Sequence, residues 1–404
     1  MSELTLSLQQ MAVQIIARSP LAFAERKPGA QFRESLPYVP GATVFGALGK
    51  YLAEDLRFDE TFMRRIRCHN AYPARDGDAW VRPLPLTALQ AKGKTQGPVI
   101  DALVERICWE RQMPPAFVYL PTDDDGRPWE LPSDCRFYTL KKGILKKREV
   151  SQRVLTRVAI NRQRSTAEDQ RLYSPIVLTE ATYNSKTKQA VPSCFLGSIS
   201  LDTADMSVIR DLLPHIRYLG GRQSTGLGAV EVEPYLDAHA ATEAPVLERV
   251  EQMTNRFQQQ STLYQEWGGN AWAIPTRSIF TINLLSDTIL LEQGWLPTQE
   301  LSAGMLEELT GIKATLRRAF TRTLTIGGWA TLWQQPKETN LAVGMGSLYV
   351  FEAAQPLTEA DGIQLENLQL SGIGMRRQEG FGQVRICDAF HLQEPSGGKE
   401  EGLK

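Results

Sequence analysis

Two stretches of this sequence combine glycines with arginines in a way that could bind an anion. They are the first glycine loop, within residues 218–233 (YLGGRQSTGLGAVEVE), and the second glycine loop, within residues 372–386 (GIGMRRQEGFGQVRI). Each places four glycines around a polar turn and continues into alternating apolar residues. Because glycine accepts positive φ and lets a partner approach the backbone closely, each stretch is predicted to be a loop that leads into a strand. The arginines indicate an anionic partner.

The candidate ligands in these loops are the glycines and the residues around the turns. In the first loop they are Gly220, Gly221, Arg222, Gln223, Ser224, Thr225, Gly226 and Gly228, and in the second they are Gly374, Arg376, Arg377, Gly380, Phe381 and Gly382. Neither loop is a familiar nucleotide motif, because Leu227 stands where a P-loop needs lysine and Arg377 stands where a dinucleotide fold needs a third glycine. A glycine-rich hairpin without a ligand is the alternative for either loop.

A third candidate lies at a predicted helix start, PYVPGAT at residues 37–43. Apolar residues follow it at helical spacing, and Thr43 is predicted to be the N-cap. A helix start beside a glycine presents free backbone N–H groups to an anion, so Gly41, Ala42 and Thr43 are candidate ligands. The alternative is an amphipathic helix that only packs, which explains its apolar face but only part of its start.

Residues 136–171 are the most basic part of the chain. They contain eleven lysines and arginines against three acids, a local charge of +8 in a chain whose net charge is −1. The alternation at 154–160, followed by the polar residues 161–170, predicts a basic hairpin or finger. Its candidate phosphate ligands are Lys146, Lys147, Arg148, Arg157, Arg162 and Arg164. A solvated charged loop is the alternative.

The composition argues against several other kinds of site. Five scattered cysteines and four histidines show no metal-ligand spacing, so we expect no metal and a reduced, cytoplasmic environment. The first residues lack the charged start and apolar block of a signal peptide, and no stretch approaches about 18 apolar residues. We therefore expect a soluble protein that does not contact membrane, and we expect no cofactor.

The order of predicted elements occurs twice along the chain. Each half opens with an alternating strand, at residues 4–9 in the first half, and closes with a glycine loop and a strand. A helix between the halves is predicted from the spacing of Val246, Val250, Met253 and Phe257. This repetition predicts a duplicated α+β fold with antiparallel sheets. The predicted units are an N-terminal domain, residues 1–236; a helical connector, residues 237–272; a C-terminal domain, residues 273–392; and a flexible tail, residues 393–404.

These parts resemble the RAMP superfamily of CRISPR-associated proteins. The resemblance is carried by the two glycine loops, by PYVPGAT at 37–43, and by RVAINR at 157–162 leading to TAE at 166–168 and LY at 172–173. It spans most of residues 1–392. The order of parts and the C-terminal GIGMRRQEGFGQV are most similar to the large two-domain RAMP subunit of type III-D effector complexes, in the Cas group that caps the 5′ handle of the guide RNA.

The resemblance implies two tandem ferredoxin-like (RRM-like) domains with a basic finger inserted at about 136–171. It also implies that the first glycine loop and residues 41–43 hold the repeat-derived 5′ handle of crRNA, while the finger reaches a neighbouring backbone subunit. The second glycine loop would serve RNA, a large polymerase-like subunit or domain packing, and Tyr38, Tyr173 and Phe381 are candidate stacking platforms. The implied partners are crRNA, the polymerase-like subunit, backbone RAMP subunits and, indirectly, target RNA, in a prokaryotic antiviral ribonucleoprotein.

Two kinds of function stay open from the sequence. The preferred one is a non-catalytic RNA-binding subunit, because no acid–base constellation of convincing spacing appears. The alternative is a metal-independent endoribonuclease that processes precursor crRNA, with His215 as general base assisted by Tyr218 or Arg222. A third possibility is target cleavage by an aspartate, for which Asp169 is the obvious candidate.

Overall fold

The computed structural model describes most of the chain. The described residues are 8–23, 32–33, 35–54, 59–94, 97–133, 135–161, 166–184, 189–235, 243–272, 277–330 and 335–393, of which 32–33, 157–161, 166–173, 184 and 330 are described by their backbone alone. Several predictions fall outside these ranges: the first residues of the opening strand, the ligand candidates Arg162 and Arg164, the boundary at 236–237, and the tail after residue 393.

The chain folds as a mixture of helices and antiparallel sheets. Up to residue 235 the helices and strands are β1 (Leu8–Ala17), β2 (Phe32–Arg33), α1 (Gly41–Glu54), α2 (Glu60–Arg65), β3 (Arg67–Cys68), β4 (Tyr72–Ala74), β5 (Arg82–Pro83), β6 (Ala88–Ala91), β7 (Val99–Asp101), α3 (Leu103–Gln112), β8 (Trp129–Glu130), β9 (Phe137–Lys141), β10 (Ile144–Arg148), β11 (Gln152–Val154), β12 (Arg157–Asn161), β13 (Thr166–Leu178), β14 (Ala181–Asn184), β15 (Gln189–Pro192), β16 (Cys194–Asp202), α4 (Met206–Leu212) and β17 (Val230–Pro234). After residue 243 they are α5 (Val246–Glu266), β18 (Ile279–Leu284), β19 (Leu290–Glu292), β20 (Leu296–Thr298), α6 (Ala303–Thr310), β21 (Ala314–Phe320), β22 (Thr323–Ile326), β23 (Trp329–Ala330), β24 (Gln335–Pro336), β25 (Asn340–Val343), β26 (Leu348–Ala353), α7 (Glu359–Ser371), β27 (Val384–Ile386) and α8 (Ala389–Leu392).

The N-terminal unit, residues 8–235, is built on an antiparallel sheet in the order β17-β1-β16-β3, with β4 also paired to β16. The long strand β1 begins with Leu8 opposite Asp202 and pairs with β17 along its other edge. Its alternation buries Met11, Val13 and Ile15 on one face, in a core shared with α1 and α4. The period-2 pattern therefore places one side of this strand against the helices.

The C-terminal unit, residues 277–393, repeats this arrangement. Its sheet has the order β21-β26-β18-β27, with α6 after the first strand and α7 after the third. In both sheets the fourth strand of the unit lies beside the first, and the third lies between the first and the second. Strands β18 and β26 are buried at every position. The predicted helix of the connector is confirmed as α5, whose buried face includes Val250, Met253 and Phe257.

An insertion, residues 75–193, separates β4 from β16 in the N-terminal unit. Its described residues form three small sheets and a separate hairpin, β14–β15. The predicted basic segment supplies the hairpin β9–β10 of one sheet and the strands β11, β12 and β13 of another. The buried carboxylate of Asp78 anchors the hairpin, because it accepts two hydrogen bonds of 2.6 Å from Arg148 and pairs with Lys141 at 3.1 Å. Two cations of the basic segment thus serve the fold.

Buried polar groups also join the insertion to the C-terminal unit. The guanidinium of Arg82 contacts Asp388 at 3.1 Å and Glu243 at 2.8 Å, and the hydroxyl of Tyr138 donates to Asp388. Helix α7 packs directly against β1 of the N-terminal unit. The two units and the insertion are therefore in direct contact. No helix in the described ranges combines the length and apolar character needed to cross a membrane.

Candidate nucleic-acid interface

The two glycine loops have the same backbone conformation when Leu219 is aligned with Ile373. Arg222 and Arg376 both have left-handed φ values, of 62° and 55°, and each precedes a single 3₁₀ turn. A left-handed glycine, Gly226 or Gly380, ends the turn in each case. A non-glycine residue in this region costs about 1–2 kcal/mol, and such strained residues are frequent at functional sites. Both loops carry an arginine at this costly position.

The first glycine loop rests on the chain that follows β1. The N–H of Gly228 donates to the carbonyl of Pro20 at 2.9 Å, and the N–H of Gly221 donates to that of Ala22 at 3.0 Å. Leu219 and Gly228 form the neck of the loop, where its two ends meet. The N–H of Leu219 donates to the carbonyl of Gly228 at 2.8 Å. A Cβ on Gly228 would lie 2.5 Å from the Leu219 oxygen, so the neck requires glycine.

The second glycine loop makes the equivalent three bonds to the chain that follows β18. The N–H of Gly382 donates to the carbonyl of Asp287 at 3.0 Å, and the N–H of Met375 donates to that of Ile289 at 3.0 Å. The neck bond runs from the N–H of Ile373 to the carbonyl of Gly382 at 2.9 Å. The two loops are therefore structural equivalents, each supported by the segment that follows the first strand of its own unit.

The tip of the first glycine loop is exposed. Gly221, Gln223, Ser224, Thr225 and Gly226 are open to solvent, whereas the following leucine and glycine are buried and fix the loop to the unit. The tip therefore offers a rigidly supported, polar surface for a ligand.

The root of the basic segment adjoins this loop through residues 20–22. Leu21, between the two residues that support the loop, exchanges backbone hydrogen bonds of 3.1 and 2.8 Å with Leu178 at the end of β13. Beside β13 lies β11, whose Arg153 is partly exposed and pairs with Glu180 at 2.9 Å. The structure thus brings together the first glycine loop and the base of β11–β13. Only the backbones of Arg157 and Asp169 are described here.

The second glycine loop is covered by the N-terminal unit at an inter-unit seam formed by Gly41, Cys68 and Gly380. Gly41 and Gly380 are buried, and a Cβ on Gly41 would lie 2.9 Å from the Cα of Gly380 and closer still to the Cys68 carbonyl oxygen. The N–H of Gly41 donates to the Oδ1 of Asn70 at 2.9 Å. This N–H group is therefore already hydrogen-bonded within the protein.

The start of α1 also differs from the prediction. The helix begins at Gly41, so Thr43 lies in its first turn rather than at the N-cap, and the Thr43 N–H donates to the Pro40 carbonyl at 3.0 Å. The prediction was wrong because Asn70, a residue distant in sequence, caps the helix. Ala42 and Thr43 are half-buried beside the seam.

Two arginines at this seam, Arg67 and Arg377, are half-buried. In the described part of the chain the guanidinium groups of Arg67 and Arg377 contact carbonyl oxygens but no carboxylate. Burial lowers the pKa of both groups, and the charge of Arg377 lowers that of Arg67 further. Arg376, in contrast, pairs with Glu379 at 2.7 Å and lies 4.7 Å above the ring of Phe381. Arg67 was not predicted as a site residue, because no local sequence pattern distinguishes it from other arginines.

The predicted ligands of the β9–β10 hairpin also differ in whether they already have a partner within the protein. Lys146 is exposed, and the Nζ of Lys147 donates to the Oε1 of Gln90 at 3.2 Å. Arg148 is buried against Asp78, which removes its guanidinium from the surface. Burial alone would oppose ionisation of Asp78, but the hydrogen bonds, led by those from Arg148, hold the pKa of this carboxyl below its usual value.

Comparisons with known proteins give distant structural likenesses. The chain is similar to a chain of the type III-B Cmr-beta complex bound to cognate target RNA and AMPPnP, with 12% identity, a TM-score of 0.41, and coverage of 84% of this chain and 86% of that one. It is also similar to a chain of the Csm3-Csm4 subcomplex of the type III-A CRISPR-Cas interference complex, with 11% identity, a TM-score of 0.32, and coverage of 86% and 95%. No family model and no curated protein matches the sequence. At these identities and scores the likenesses do not assign a family or an activity to this chain.

The histidines occupy contrasting environments. His215 is exposed in the short turn before the first glycine loop and makes no hydrogen bond within the described residues. His69 is buried, its Nε2 lies 2.8 Å from the Oγ of Ser200, and burial lowers its pKa to about 4, so the ring is neutral. His391 is enclosed between Asp101 and Asn283. No group of three or more acidic, histidine or cysteine side chains suited to a metal occurs in the described part of the chain.

Proposed function

We propose that this chain is a non-catalytic crRNA-binding subunit of a type III CRISPR RNA-guided effector complex. The observation that carries the proposal is the contrast between the two equivalent loops. The second is covered at the inter-unit seam, whereas the first presents an exposed tip beside the root of the basic segment. A polar loop held rigidly by three backbone bonds, with cationic strands next to it, suits a phosphodiester chain.

We infer that both units are ferredoxin-like, because each sheet has the spatial order fourth, first, third, second strand with helices after the first and third. In this interpretation the resemblance to the two-domain subunit of type III-D complexes assigns the first glycine loop to the repeat-derived 5′ handle. The subunit would cap that end of the crRNA and join the large polymerase-like subunit to the backbone subunits. The strands of the basic segment would extend along the RNA toward the neighbouring backbone subunit.

The contacts at the loop tip follow from its backbone. Within the 3₁₀ turn, the N–H groups of Thr225 and Gly226 donate to the carbonyls of Arg222 and Gln223. The first N–H groups of such a turn, those of Gln223 and Ser224, have no partner inside it. We propose that they bind a phosphate oxygen, with the positive charge of Arg222 beside it.

Binding of the purified chain to a labelled repeat-derived guide RNA in EDTA, against a scrambled RNA of equal length, tests this function. Ser224→Glu places a negative charge at the tip, and repulsion of about 1–3 kcal/mol at a partly screened distance predicts binding weaker by about fivefold or more. Thr262→Glu on the exposed face of α5 makes the same charge change away from both loops and should have no effect. Gln378→Glu, at the equivalent position of the half-buried second loop, should have a smaller effect than Ser224→Glu.

Equal affinity for the two RNAs, or a greater loss with Gln378→Glu than with Ser224→Glu, would contradict the assignment to the first glycine loop. The salt dependence gives a second measure, because the slope of log affinity against log salt reports the number of phosphates contacted. Ser224→Glu should reduce that slope, whereas a variant that merely unfolds would bind neither RNA at any salt concentration.

A second candidate function, processing of precursor crRNA, is favoured by one observation. His215 and Tyr218 are both exposed immediately before the first glycine loop, where a bound phosphodiester could reach them. The same binding reaction, run on a denaturing gel, would show a single cleavage if this function is present. His215→Ala should then abolish the cleavage while the RNA stays bound, and intact RNA with the unmodified chain would exclude processing.

A further inference from the structure

A cavity of about 420 Å³ lies where the N-terminal unit, the insertion and the C-terminal unit meet. Its walls are largely apolar and include Leu36, Tyr38, Leu84, Phe137, Leu324 and Met345. Phe137 stacks on Tyr72 at a centroid distance of 4.7 Å, and Tyr38 closes the cluster at 6.1 Å from Phe137. Because these rings are held by one another and by the core, the wall they form is rigid.

Two arginines stand at this cavity. Arg136 and Arg322 both line it and are exposed, and neither guanidinium forms an ion pair within the described residues. Arg322 lies against Gly344, where an added Cβ would be 2.7 Å from the guanidinium Nε, so its side chain is directed by packing. The acidic lining residue, Asp287, accepts a hydrogen bond of 2.8 Å from the N–H of Met345.

We propose that this cavity binds a single nucleotide. Its volume falls within the range of about 300–1,000 Å³ that is usual for small-ligand pockets. A flat base suits the apolar and aromatic wall, and a phosphate suits the two guanidinium groups at the mouth, which bind it as charged donors. A folded protein segment is too large for this volume, and a purely apolar ligand makes no use of the two guanidinium groups.

The nucleotide has two possible sources, a free mononucleotide or one residue of a bound RNA. Single-stranded RNA is recognised by splaying bases onto aromatic and apolar surfaces. The cavity lies close to the second glycine loop, because the lining residue Asp287 also supplies the carbonyl that accepts the Gly382 N–H. Only the RNA source rests on the function proposed above.

The test uses the full chain and three variants. Arg322→Ala removes one guanidinium, and Ser133→Trp places a bulky ring at the exposed rim of the cavity. Arg127→Ala, at an exposed arginine that does not line the cavity, is the matched control. Calorimetric titration with AMP and with UMP measures the free nucleotide. Photocrosslinking of a 4-thiouridine-substituted guide RNA, mapped by mass spectrometry, measures a nucleotide of RNA.

Binding of AMP or UMP that weakens at least fivefold in Arg322→Ala and Ser133→Trp, but not in Arg127→Ala, supports the site with a free nucleotide. No mononucleotide binding, but a crosslink at residues 83–86 or 322–324 that Ser133→Trp abolishes, supports the site with a residue of RNA. If neither signal is observed, and the unfolding midpoints of the variants match that of the unmodified chain, the proposal is overturned. Mononucleotide binding without any guide-RNA binding would retain this site and refute the function proposed above.

Discussion

The inter-unit seam predicts opposite effects for two glycine-to-alanine substitutions in the same helix. Gly41 begins α1 and is buried, whereas Gly46 lies one and a half turns later and is exposed. A Cβ on Gly41 would lie 2.9 Å from the Cα of Gly380 and would overlap the Cys68 carbonyl oxygen. A Cβ on Gly46 would meet nothing within 4 Å. The same chemical change therefore tests packing at one position and helix propensity at the other.

The magnitudes follow from these contacts. Both groups that a Cβ on Gly41 meets are backbone atoms, of β3 and of the second glycine loop, so two segments must move apart. Overpacking of this kind costs about 1–3 kcal/mol, and we expect Gly41→Ala to reach the upper end, about 3 kcal/mol. Alanine is favoured over glycine inside a helix by about 1 kcal/mol, so Gly46→Ala should be stabilising by up to that amount. The two variants should differ by about 4 kcal/mol in the free energy of unfolding.

Urea unfolding followed by circular dichroism measures the difference as a shift in midpoint. Hydrogen exchange locates it, because Gly41→Ala should speed exchange of amides in the second glycine loop and in α1, while the first glycine loop keeps its protection. If Gly41→Ala were as stable as Gly46→Ala, or if its faster exchange were confined to α1, the second loop would not be seated on the helix start and the seam would be wrong.

Three other predictions follow from buried charges and from the seam. Asp78→Ala should destabilise the insertion by about 3–5 kcal/mol, because it leaves Arg148 buried without its partner, whereas Asp124→Ala at an exposed site should change the midpoint little. Burial lowers the pKa of His69 to about 4, so as pH falls the histidine is protonated in the unfolded chain before it is protonated in the folded one. The stability that the neutral ring contributes is therefore fully present above pH 6.5 and is lost as pH falls toward 4. Between pH 7 and 4.5 the loss is about 2 kcal/mol, and His69→Gln should show a correspondingly smaller change in urea midpoint. Equal pH dependence of the two proteins would contradict a buried neutral ring. Arg377→Ala should raise the unfolding midpoint at low salt, because it removes repulsion of Arg67, and a stability that falls by more than 1 kcal/mol would show that its carbonyl contacts dominate.

Local pattern was sufficient for the repeated parts of the structure. Glycine spacing alone predicted both loops and the strands that follow them, because the neck of each loop tolerates no Cβ and each tip needs left-handed residues. The 4-3-4 spacing of Val246, Val250, Met253 and Phe257 likewise predicted the helix that the structure shows as α5. These features depend on residues that are neighbours in the chain, and short-range sterics and burial determine them.

The site was harder to predict, because its decisive contacts join distant residues. Arg148 contributed to a local charge of +8, but a carboxylate seventy positions earlier, Asp78, removes it from the surface. The start of α1 has the composition of an anion site, but Asn70 occupies the N–H of Gly41. Counting charges along the sequence could not reveal which cations are already paired. Arg67, which contacts no carboxylate of the described residues, has no local signal at all.

The strands that pair with β1 are distant from it in sequence, and this constrains how the protein folds during synthesis. Leu8 pairs with Asp202 and Ala17 with Val230, so β1 meets its partners among the described strands only after β16, which begins at Cys194, has been synthesised. The C-terminal unit, in contrast, completes its sheet between Ile279 and Ile386. Sheets that close over long sequence separations fold slowly and leave strand edges open to aggregation in the meantime. Shortened chains that end before β16 would therefore carry an unpaired apolar strand, and expression of the N-terminal unit requires the chain through β17.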